Sequence, residues 1–408
     1  MNVNRGTEER QALPSGWRWV ELGEVCYFRH GGTPSKTNPN YWSGAIPWVS
    51  PKDMKTDLIW DTKDHVTQDA INQSSACLVP AGAILIVVRS GILVHHFPVA
   101  LTGQALSFNQ DIKALLPKGA VVNPNYLFHI LRAQESTILS DGIKKGATVH
   151  SVRSAYIEKL EIPLPPLAEQ KRIAAILNEQ MAAVEKARAA AEAQLEAAKA
   201  LPAAYLSQVF PKEGQELSHG WRRGKLVEVC EFLDSQRVPV NESDRTKRIA
   251  GKPVSALYPY YGANGQVGWI DDYLFDEPLV LLAEDGGFFG SLERPIAYLI
   301  SGKTWVNNHA HVLRPRSGID IEFLWLMLAI RPDVGKLVTG NTRPKLNQDV
   351  AAHIPIVILP LVEQKRIAAV LRKQMASAER LRSDIEKQLY EINSLPAALL
   401  RKAFNGEL

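Results

Sequence analysis

Two distant segments of this chain are nearly the same. Residues Pro166 to Leu177 read PLAEQKRIAAIL and residues Pro360 to Leu371 read PLVEQKRIAAVL, identical at 10 of 12 positions and 194 residues apart. A second pair, LPAAYLSQVF from Leu201 and LPAALLRKAF from Leu395, keeps this offset of 194 residues. An internal repeat of this kind restricts the chain to a fold built from two equivalent halves.

A third pair of segments opens the two halves. GWRWVELGEVCYF begins at Gly16 and GWRRGKLVEVCEF begins at Gly220, an offset of 204 residues. The stretches between the repeated segments share almost nothing. Two similar frames that carry dissimilar inserts indicate one pseudo-twofold scaffold that presents two different binding domains.

Each repeat predicts a long helix. Residues 166–201 and 360–395 contain no internal proline or glycine and are rich in alanine, glutamate, lysine and glutamine. Each would span roughly 54 Å, with Pro202 as a break after the first. Apolar residues recur every seven positions, the pattern of a coiled coil, so we expect the two helices to pack antiparallel. The recurring residues are Leu177, Val184, Ala191 and Ala198, then Leu371, Ala378, Ile385 and Ile392, with Met181, Leu195, Leu381 and Leu389 beside them. The alternative is that each helix only covers its own domain.

Both inserts indicate small α+β domains. Apolar runs at Ala83–Val88 and Leu279–Ala283 are strand-sized, and helices are expected at Asn125–Arg132 and around Phe323–Met327. The predicted fold is therefore α+β, with two globular domains alternating with two long helices in a pseudo-twofold tandem repeat. The expected domains are 1–165, a helical spacer 166–215, a second domain 216–359 and a C-terminal helical spacer 360–408.

Composition excludes several classes of protein. With 46% hydrophobic and 22% charged residues, the 408-residue chain is globular rather than disordered. The net charge of +4 is compatible with nucleic acid only if basic residues cluster locally. Three cysteines do not make a disulfide scaffold, and Cys26 and Cys230 hold equivalent places in the repeat, as buried structural thiols would. The N-terminus is polar and no apolar run has membrane-spanning length, so we expect a cytoplasmic protein with no membrane association.

Several local patterns resemble catalytic or cofactor sites, and each lacks a part. Gly302-Lys303-Thr304 has Ala297 where a phosphate-binding loop needs glycine. The two NPNY segments, from Asn38 and Asn123, lack the second proline of an amino-methyltransferase motif and are better explained as helix starts. The histidine pairs His95/His96 and His309/His311 have no nearby cysteine or carboxylate at ligand spacing, and Glu284-Asp285 lacks a lysine positioned for a nuclease triad. We therefore expect no catalytic residue, no metal and no cofactor in this chain.

The doubled GW opening, the PLxEQKRIAxxL helix start and the LPAA…F close resemble the specificity subunit of type I restriction–modification systems. The resemblance covers almost the whole chain. It implies a non-catalytic DNA reader with two target-recognition domains, each reading one half of a bipartite, asymmetric sequence, and helices that fix the gap between the halves. It further implies partners: double-stranded DNA, two methyltransferase subunits that bind S-adenosylmethionine, and restriction (motor) subunits that use ATP and Mg²⁺.

Candidate DNA contacts lie in polar, glycine-rich loops that carry basic residues. The loop that precedes the last strand of each half is repeated with the 194-residue offset, and we expect it to face DNA. In the first domain the candidates are Thr33, Ser35, Lys36, Asn40, Trp42, Lys144, Lys145, Thr148, His150 and Arg153. In the second they are Arg245, Lys247, Arg248, Tyr261, Asn264, Gln266, Thr342, Arg343, Lys345 and Asn347.

The charged helix starts predict a shared partner. Their near-identity beside divergent inserts suggests that two copies of one subunit meet the two halves alike, and packing of each helix on its own domain is the alternative. The candidate partner-binding residues are Glu169, Gln170, Lys171 and Arg172, and Glu363, Gln364, Lys365 and Arg366.

Three other functions remain open at this point. The chain could be a bipartite DNA-binding adaptor or regulator outside restriction, a DNA-modifying enzyme with its own catalysis, or a coiled-coil scaffold that binds no nucleic acid. Binding that ignores salt would indicate the scaffold, because phosphate contacts weaken steeply as salt rises.

Overall fold

The computed structural model describes residues 13–146, 148–211, 214–340 and 342–408. The chain forms two compact units: unit 1 comprises Met1–Ala189 and Tyr390–Leu408, and unit 2 comprises Ala190–Leu389. Each unit therefore combines one insert with parts of both long helices. The polar N-terminal residues, on which the expectation of no signal sequence rests, fall within 1–12 and lie outside the described residues.

Unit 1 is built mainly from short strands. Its strands are β1 (Arg18–Glu21), β2 (Cys26–His30), β3 (Ile46–Val49), β4 (Leu58–Ile59), β5 (His65–Val66), β6 (Leu78–Val79), β7 (Ile84–Val87), β8 (Arg89–Ser90), β9 (Val99–Thr102), β10 (Leu106–Phe108), β11 (Ile112–Pro117), β12 (Ile143–Lys144), β13 (His150–Val152) and β14 (Glu161–Leu164). Its helices are α1 (Leu22–Val25), α2 (Gln68–Gln73), α3 (Pro124–Ala133), α4 (Glu135–Asp141) and α5 (Ser154–Glu158), with 3₁₀ turns at Pro39–Tyr41 and Gly91–Val94, and the long helix α6 (Leu167–Val209) follows.

Unit 2 repeats this plan with different loops. Its strands are β15 (Arg222–Lys225), β16 (Cys230–Phe232), β17 (Tyr258–Gly262), β18 (Gly265–Ile270), β19 (Phe275–Asp276), β20 (Leu279–Ala283), β21 (Ala297–Ile300), β22 (Lys303–Val306), β23 (Ala310–Pro315) and β24 (Pro355–Ile358). Its helices are α7 (Leu226–Val229), α8 (Glu242–Ile249), α9 (Ile321–Ala329) and α10 (Gln348–Ala352), with 3₁₀ turns at Asp234–Gln236, Val254–Ala256 and Pro332–Lys336, before the long helix α11 (Leu361–Phe404).

The strands that the two units share follow the same order, and unit 1 adds β4 and the sheet β12-β13-β8. Unit 1 has sheets β2-β11-β7-β9-β4, β5-β3-β10-β6, β12-β13-β8 and β1-β14, and unit 2 has β16-β23-β20-β21, β18-β17-β22-β19 and β15-β24. The strands β7 and β20 are buried along their whole length, as the two apolar runs predicted. The expected helices are also confirmed, as α3 and α9. Divergent inserts thus adopt one topology.

The asparagines of the two NPNY segments start helices. The Asn38 side chain accepts a hydrogen bond from the backbone N–H of Asn40, and the Asn123 side chain accepts one from Tyr126. Both are N-caps, which satisfy backbone donors that a helix start leaves without a partner. This confirms the helix-start interpretation of these segments.

Both long helices continue through a proline. The predicted break at Pro202 is wrong: α6 runs on to Val209, and α11 likewise passes through Pro396. Proline removes one backbone hydrogen bond, but the segment that follows is held by packing. Leu206 is buried in the unit 2 core, and the ring of Phe210 lies 5.5 Å from that of Phe323.

The two helices run antiparallel, as predicted. In unit 1 the Arg172 guanidinium, near the start of α6, donates to the Leu408 carbonyl just after the end of α11, at 2.6 Å. In unit 2, Val209 at the end of α6 and Ile367 near the start of α11 line one groove. The eight residues of the sevenfold pattern are all buried, which confirms the coiled-coil prediction. Leu381 is 47% exposed, so its inclusion beside that stripe is wrong.

The cysteines fit the structural role expected for them. Cys26 and Cys230 are buried, and burial raises the pKa of each thiol to about 12. At neutral pH they stay protonated and act as small apolar side chains.

No helix within the described ranges has the length and apolar composition needed to cross a bilayer.

Candidate nucleic-acid interface

The repeated loop occupies the same place in both units. In unit 1, Ser151 pairs with Arg89, just after the central strand β7. In unit 2, Lys345, which lies 194 residues after Ser151, forms the equivalent bridge with Asp285 just after β20. Each loop is therefore joined to the chain that leaves the buried central strand.

A buried polar side chain fastens this region in each unit. Lys113 on β11 is 4% exposed, and its Nζ lies 2.8 Å from the Ser154 hydroxyl at the start of α5. Burial lowers the pKa of Lys113. On β23, His311 is fully buried, and its Nε2 lies 2.8 Å from the Leu346 carbonyl oxygen. Lys113 lies four positions before Pro117, which pairs with Cys26 of β2. His311 lies four positions before Pro315, which pairs with Cys230 of β16. Lys113 and His311 therefore hold equivalent positions in the two units.

Unit 2 contains a buried network of charges around His311. The Asp234 carboxylate lies 2.6 Å from His311 Nδ1 and 3.4 Å from Arg237 Nη2. Arg237 also donates to Glu284 at 2.7 Å, and Lys345 Nζ lies 3.2 Å from Glu284. Burial raises the pKa of Glu284, but hydrogen bonds from Arg237 and Lys345 and the charge of His311 together hold it below its usual value.

This network corrects two details of the sequence interpretation. No lysine was expected in position beside Glu284-Asp285, yet the fold places Lys345 against Glu284. No carboxylate was expected at ligand spacing from His311, yet Asp234 and Glu284 offer carboxylate oxygens within 4.8 Å of a His311 nitrogen. Three such groups resemble a metal site. The Arg237 guanidinium contacts both carboxylates, so a protein cation already supplies the positive charge that they require. The cluster is an ion network that anchors the repeated loop.

An exposed arginine stands above this network. Arg343 Nη2 lies 2.8 Å from the Asp285 carboxylate and 3.2 Å from His309 Nδ1, while 60% of the side chain remains exposed. Asn264, in the turn between β17 and β18, donates to the carbonyl oxygen of Gly286 at 3.1 Å. The fold thus brings the predicted residues Asn264, Arg343 and Lys345 to one surface. We call Asp285, Gly286, His309, Arg343 and Lys345 the rim of unit 2.

The other predicted residues of the second domain are more dispersed. Arg245 and Arg248 pack α8 on the sheet, with guanidinium carbons 4.9 Å from the ring centroids of Tyr260 and Trp305, and Arg248 also pairs with Asp271 at 2.6 Å. Two of the three basic residues on α8 are therefore engaged internally. The remaining candidates are exposed or half-buried at the surface: Lys247, Tyr261, Gln266, Thr342 and Asn347.

In unit 1 the repeated loop is open to solvent. Lys144, Lys145 and Thr148 are exposed, and His150 is half-buried on β13. Arg153 is engaged locally, since its guanidinium donates to the Asp141 carbonyl oxygen and lies 5.8 Å from the Tyr156 ring. Among the described residues of this loop, Lys144 and Lys145 are therefore exposed basic side chains.

The first glycine-rich loop of unit 1 is partly ordered by its own contacts. The Thr33 hydroxyl donates to Gln110 at 2.6 Å, and the Trp42 indole donates to the Ser35 carbonyl oxygen at 3.1 Å. Trp42 also packs edge-on against Trp48, with ring centroids 5.0 Å apart. The other candidates in this loop, Ser35, Lys36 and Asn40, are exposed.

The two repeated glutamines lie inside the protein. Gln170 and Gln364 are each 1% exposed. The Gln170 side chain accepts from the Asn123 N–H at 2.8 Å and donates to two carbonyl oxygens, and Gln364 makes the matching set with Asp320, Gly318 and Leu359. Each glutamine ties the start of a long helix to the cap of α3 or α9. For these two residues the burial favours helix–domain packing over partner binding.

The flanking charges are accessible. Lys171 and Lys365 are exposed. Glu169 and Arg172 pair at 2.7 Å, whereas Glu363 accepts from the Trp221 indole at 3.0 Å and lies 3.6 Å from Arg366. In unit 2, Trp221, Glu363 and Arg366 line an open groove of about 520 Å³. The charged residues, unlike the glutamines, are placed where a partner could contact them.

Sequence reasoning missed several residues of these surfaces. Arg89, Lys113 and Asp234 carry no local motif, and Asp285 was considered only as part of a nuclease pattern, because the partners of all four lie tens of residues away. The offset between the repeats could have found Arg89 and Asp285, had the pairing of the loop with the central strand been known.

Comparison with known proteins agrees with this architecture. The type I restriction modification DNA specificity domain matches residues 14–195 and again 218–391. A specificity subunit of the type I restriction enzymes EcoR124I and EcoR124II from Escherichia coli is 40% identical over 161 residues, which span 39% of this chain and 40% of that relative. The match thus covers about two fifths of that relative's length.

Two further relatives align over nearly the whole chain. The specificity subunit of the type I restriction enzyme EcoDI from Escherichia coli is 23% identical over 97% of this chain and 89% of its own length. A solved structure described as the structural basis of complex assembly and conformational transition of the type I R-M system superposes with a TM-score of 0.74 at 23% identity, over 97% of this chain and 100% of that one. With two copies of the family's domain spanning most of its length, the chain belongs to the type I restriction modification DNA specificity family.

Proposed function

We propose that this chain is the sequence-specific DNA-recognition subunit of a type I restriction–modification complex. Each unit reads one half of a bipartite, asymmetric site in double-stranded DNA. The chain itself is non-catalytic. S-adenosylmethionine binds to two methyltransferase subunits, and ATP with Mg²⁺ binds to restriction subunits.

The observation that carries this proposal is one scaffold with two different surfaces. The repeated loop and the central strand hold the same positions in both units, but the side chains there differ. Unit 2 has Asp285 and Arg343, and the equivalent positions of unit 1 hold Arg89 and Val149. Two different readers on one frame suit a site whose halves differ in sequence.

The long helices support the role of a spacer. Their sevenfold stripe of eight residues is buried, so a change of length by anything other than whole heptads shifts the register of that stripe. The exposed Lys171 and Lys365, at repeated positions, are suited to dock two copies of a methyltransferase subunit. A bipartite DNA-binding adaptor or regulator outside restriction would share the readers and the spacer, and would differ by lacking methyltransferase partners.

Salt dependence tests whether the chain binds DNA. We expect the affinity of the full chain for its split duplex target to fall about 100-fold between 50 and 200 mM salt, as about four phosphate contacts require. Replacing both Lys144 and Lys145 with glutamate should weaken binding to all sequences alike. Fluorescence anisotropy with labelled duplexes measures both effects.

The matched control reverses two exposed charges on the long helices, Lys186→Glu and Lys387→Glu, which lie outside the loops proposed to contact DNA. These changes should leave the salt slope intact. Affinity that does not depend on salt, or no binding to duplex DNA by the chain or its methyltransferase complex, would indicate a coiled-coil scaffold instead.

A further inference from the structure

We infer that Arg343 reads a guanine base in the half-site bound by unit 2, an inference that rests on the proposed DNA-recognition function. Arg343 would then determine sequence specificity rather than contribute only positive charge. No equivalent reader exists at the matching position of unit 1, where Val149 stands.

The first support is the way the guanidinium is held. Its Nη2 donates to Asp285, a carboxylate only 16% exposed, which also lies 2.7 Å from His309 Nδ1. The contacts of Arg343 within the described residues all use Nη2, so Nε and Nη1 have no acceptor there. Nη2 is thus held by the protein, and the edge formed by Nη1 and the second N–H of Nη2 is the one available to a base.

The second support is the backbone beneath the side chain. Gly286 has φ +65°, and a Cβ at that position would lie 3.6 Å from Arg343 Nε. The Gly286 N–H donates to the Pro344 carbonyl oxygen at 3.1 Å, and the Leu346 N–H donates to the Glu284 carbonyl oxygen at 2.6 Å. The loop that carries Arg343 is therefore fastened to the segment after β20 on the C-terminal side of this residue, and the Arg343 side chain lies beside Gly286.

This arrangement fits a base edge better than a phosphate. A phosphate requires a nearby positive charge, which a mobile lysine supplies as well. A guanidinium held through Nη2 by a half-buried carboxylate has lost part of its rotational freedom before binding, so it can pair with the two acceptors O6 and N7 of guanine at a reduced entropic cost. In unit 2 the partly buried Asp285 thus orients the exposed Arg343.

The two units differ at this place. In unit 1, Arg89 takes the position of Asp285, and its Nε is 4.0 Å from the Asp111 carboxylate. Val149, at the position of Arg343, is 42% exposed. At the loop position of Arg343, a carboxylate-held arginine is thus present in unit 2 and replaced by valine in unit 1, as expected if the two half-sites differ in base sequence.

The test combines a protein change with a DNA change. The full chain, in complex with its methyltransferase subunit, is measured against duplexes in which each guanine of the split site is replaced in turn by 7-deazaguanine, which lacks the N7 acceptor. At one guanine, the wild-type complex should bind about 10-fold more weakly. Arg343→Ala should bind the unmodified site about 10- to 100-fold more weakly and should be indifferent to 7-deazaguanine at that position.

Two further variants separate base reading from charge. Arg343→Lys keeps the charge without the fork, and should lose the guanine preference. Asp285→Asn should weaken the preference by freeing the guanidinium. Arg382→Ala, which removes an exposed arginine paired with Glu379 on α11, should change no base preference.

The outcomes are distinguishable from failure of the proposed function. If the wild type selects a split site but every variant keeps the full guanine preference, or if the wild type tolerates 7-deazaguanine at every position, the assignment to Arg343 is overturned while DNA recognition stands. If Arg343→Ala weakens binding equally at all sequences, Arg343 contacts phosphate and the inference fails. If the wild type selects no site, the proposed function itself fails.

Discussion

We expect Asp234→Ala to lower the free energy of unfolding of unit 2 by about 3–5 kcal/mol, the usual cost of breaking a buried ion pair. The substitution removes the acceptor of His311 Nδ1 and of the Val312 N–H, and leaves Arg237 and His311 in the interior without that carboxylate. Because the chain forms two compact units, hydrogen exchange followed by mass spectrometry, which reports on each unit separately, is the suitable measurement. Protection should fall in peptides from β20 and β23 and persist in those from β7 and β11.

The matched control for this prediction is Asp244→Ala. Asp244 is an acid of the same unit, 59% exposed, whose carboxylate contacts only surface groups among the described residues: Lys247 Nζ at 3.6 Å and Asn241 Nδ2 at 2.8 Å. Its loss should change the stability of unit 2 by less than about 0.5 kcal/mol. Equal effects of the two substitutions would mean that the network around His311 does not stabilise the unit.

We expect Gln364→Ala to lower the free energy of unfolding of unit 2 by about 3 kcal/mol. It leaves the Asp320 N–H and the Gly318 and Leu359 carbonyl groups without their side-chain partner, and each buried, unsatisfied group costs about 1–3 kcal/mol. Gln170→Ala should have the same effect on unit 1. Chemical denaturation, with hydrogen exchange to identify the unit affected, measures both.

The neighbouring Lys365→Ala is the control, because Lys365 is exposed on the same helical turn. It should leave stability unchanged within about 0.5 kcal/mol. If instead Gln364→Ala leaves stability unchanged and weakens assembly with the methyltransferase subunit, partner binding rather than packing explains why this glutamine is repeated.

Periodicity predicts the long helices because it acts over short distances along the chain, and the repeat extends that prediction to the second half. The sevenfold stripe is an example: Leu177 and Leu371 are fully buried where the pattern places them. Pro202 shows the limit of local rules. The backbone hydrogen bond that Pro202 removes is a local loss. The packing that holds the end of α6 comes from distant residues, since Phe210, just after this helix, packs against Phe323 more than a hundred positions later.

The candidate surface was predictable only in part, for the same reason. The offset of 194 residues located the repeated loop, but it could not show that Lys345 meets Glu284 or that Asp285 holds Arg343. The charged helix starts illustrate the opposite difficulty. EQKR appears uniform in sequence, yet Gln170 is buried and Lys171 is exposed, so adjacent letters of one motif have different roles.

The most direct test of two readers on one spacer is a genome-wide adenine-methylation map. The chain is expressed in cells with its methyltransferase subunit, once unchanged and once with a seven-residue heptad inserted in both α6 and α11, which preserves the register of the stripe. The unchanged chain should give a split motif with two short, different halves across a fixed gap. The lengthened chain should give the same two halves across a wider gap, whereas a continuous motif, or a gap that ignores the insertion, would contradict the account.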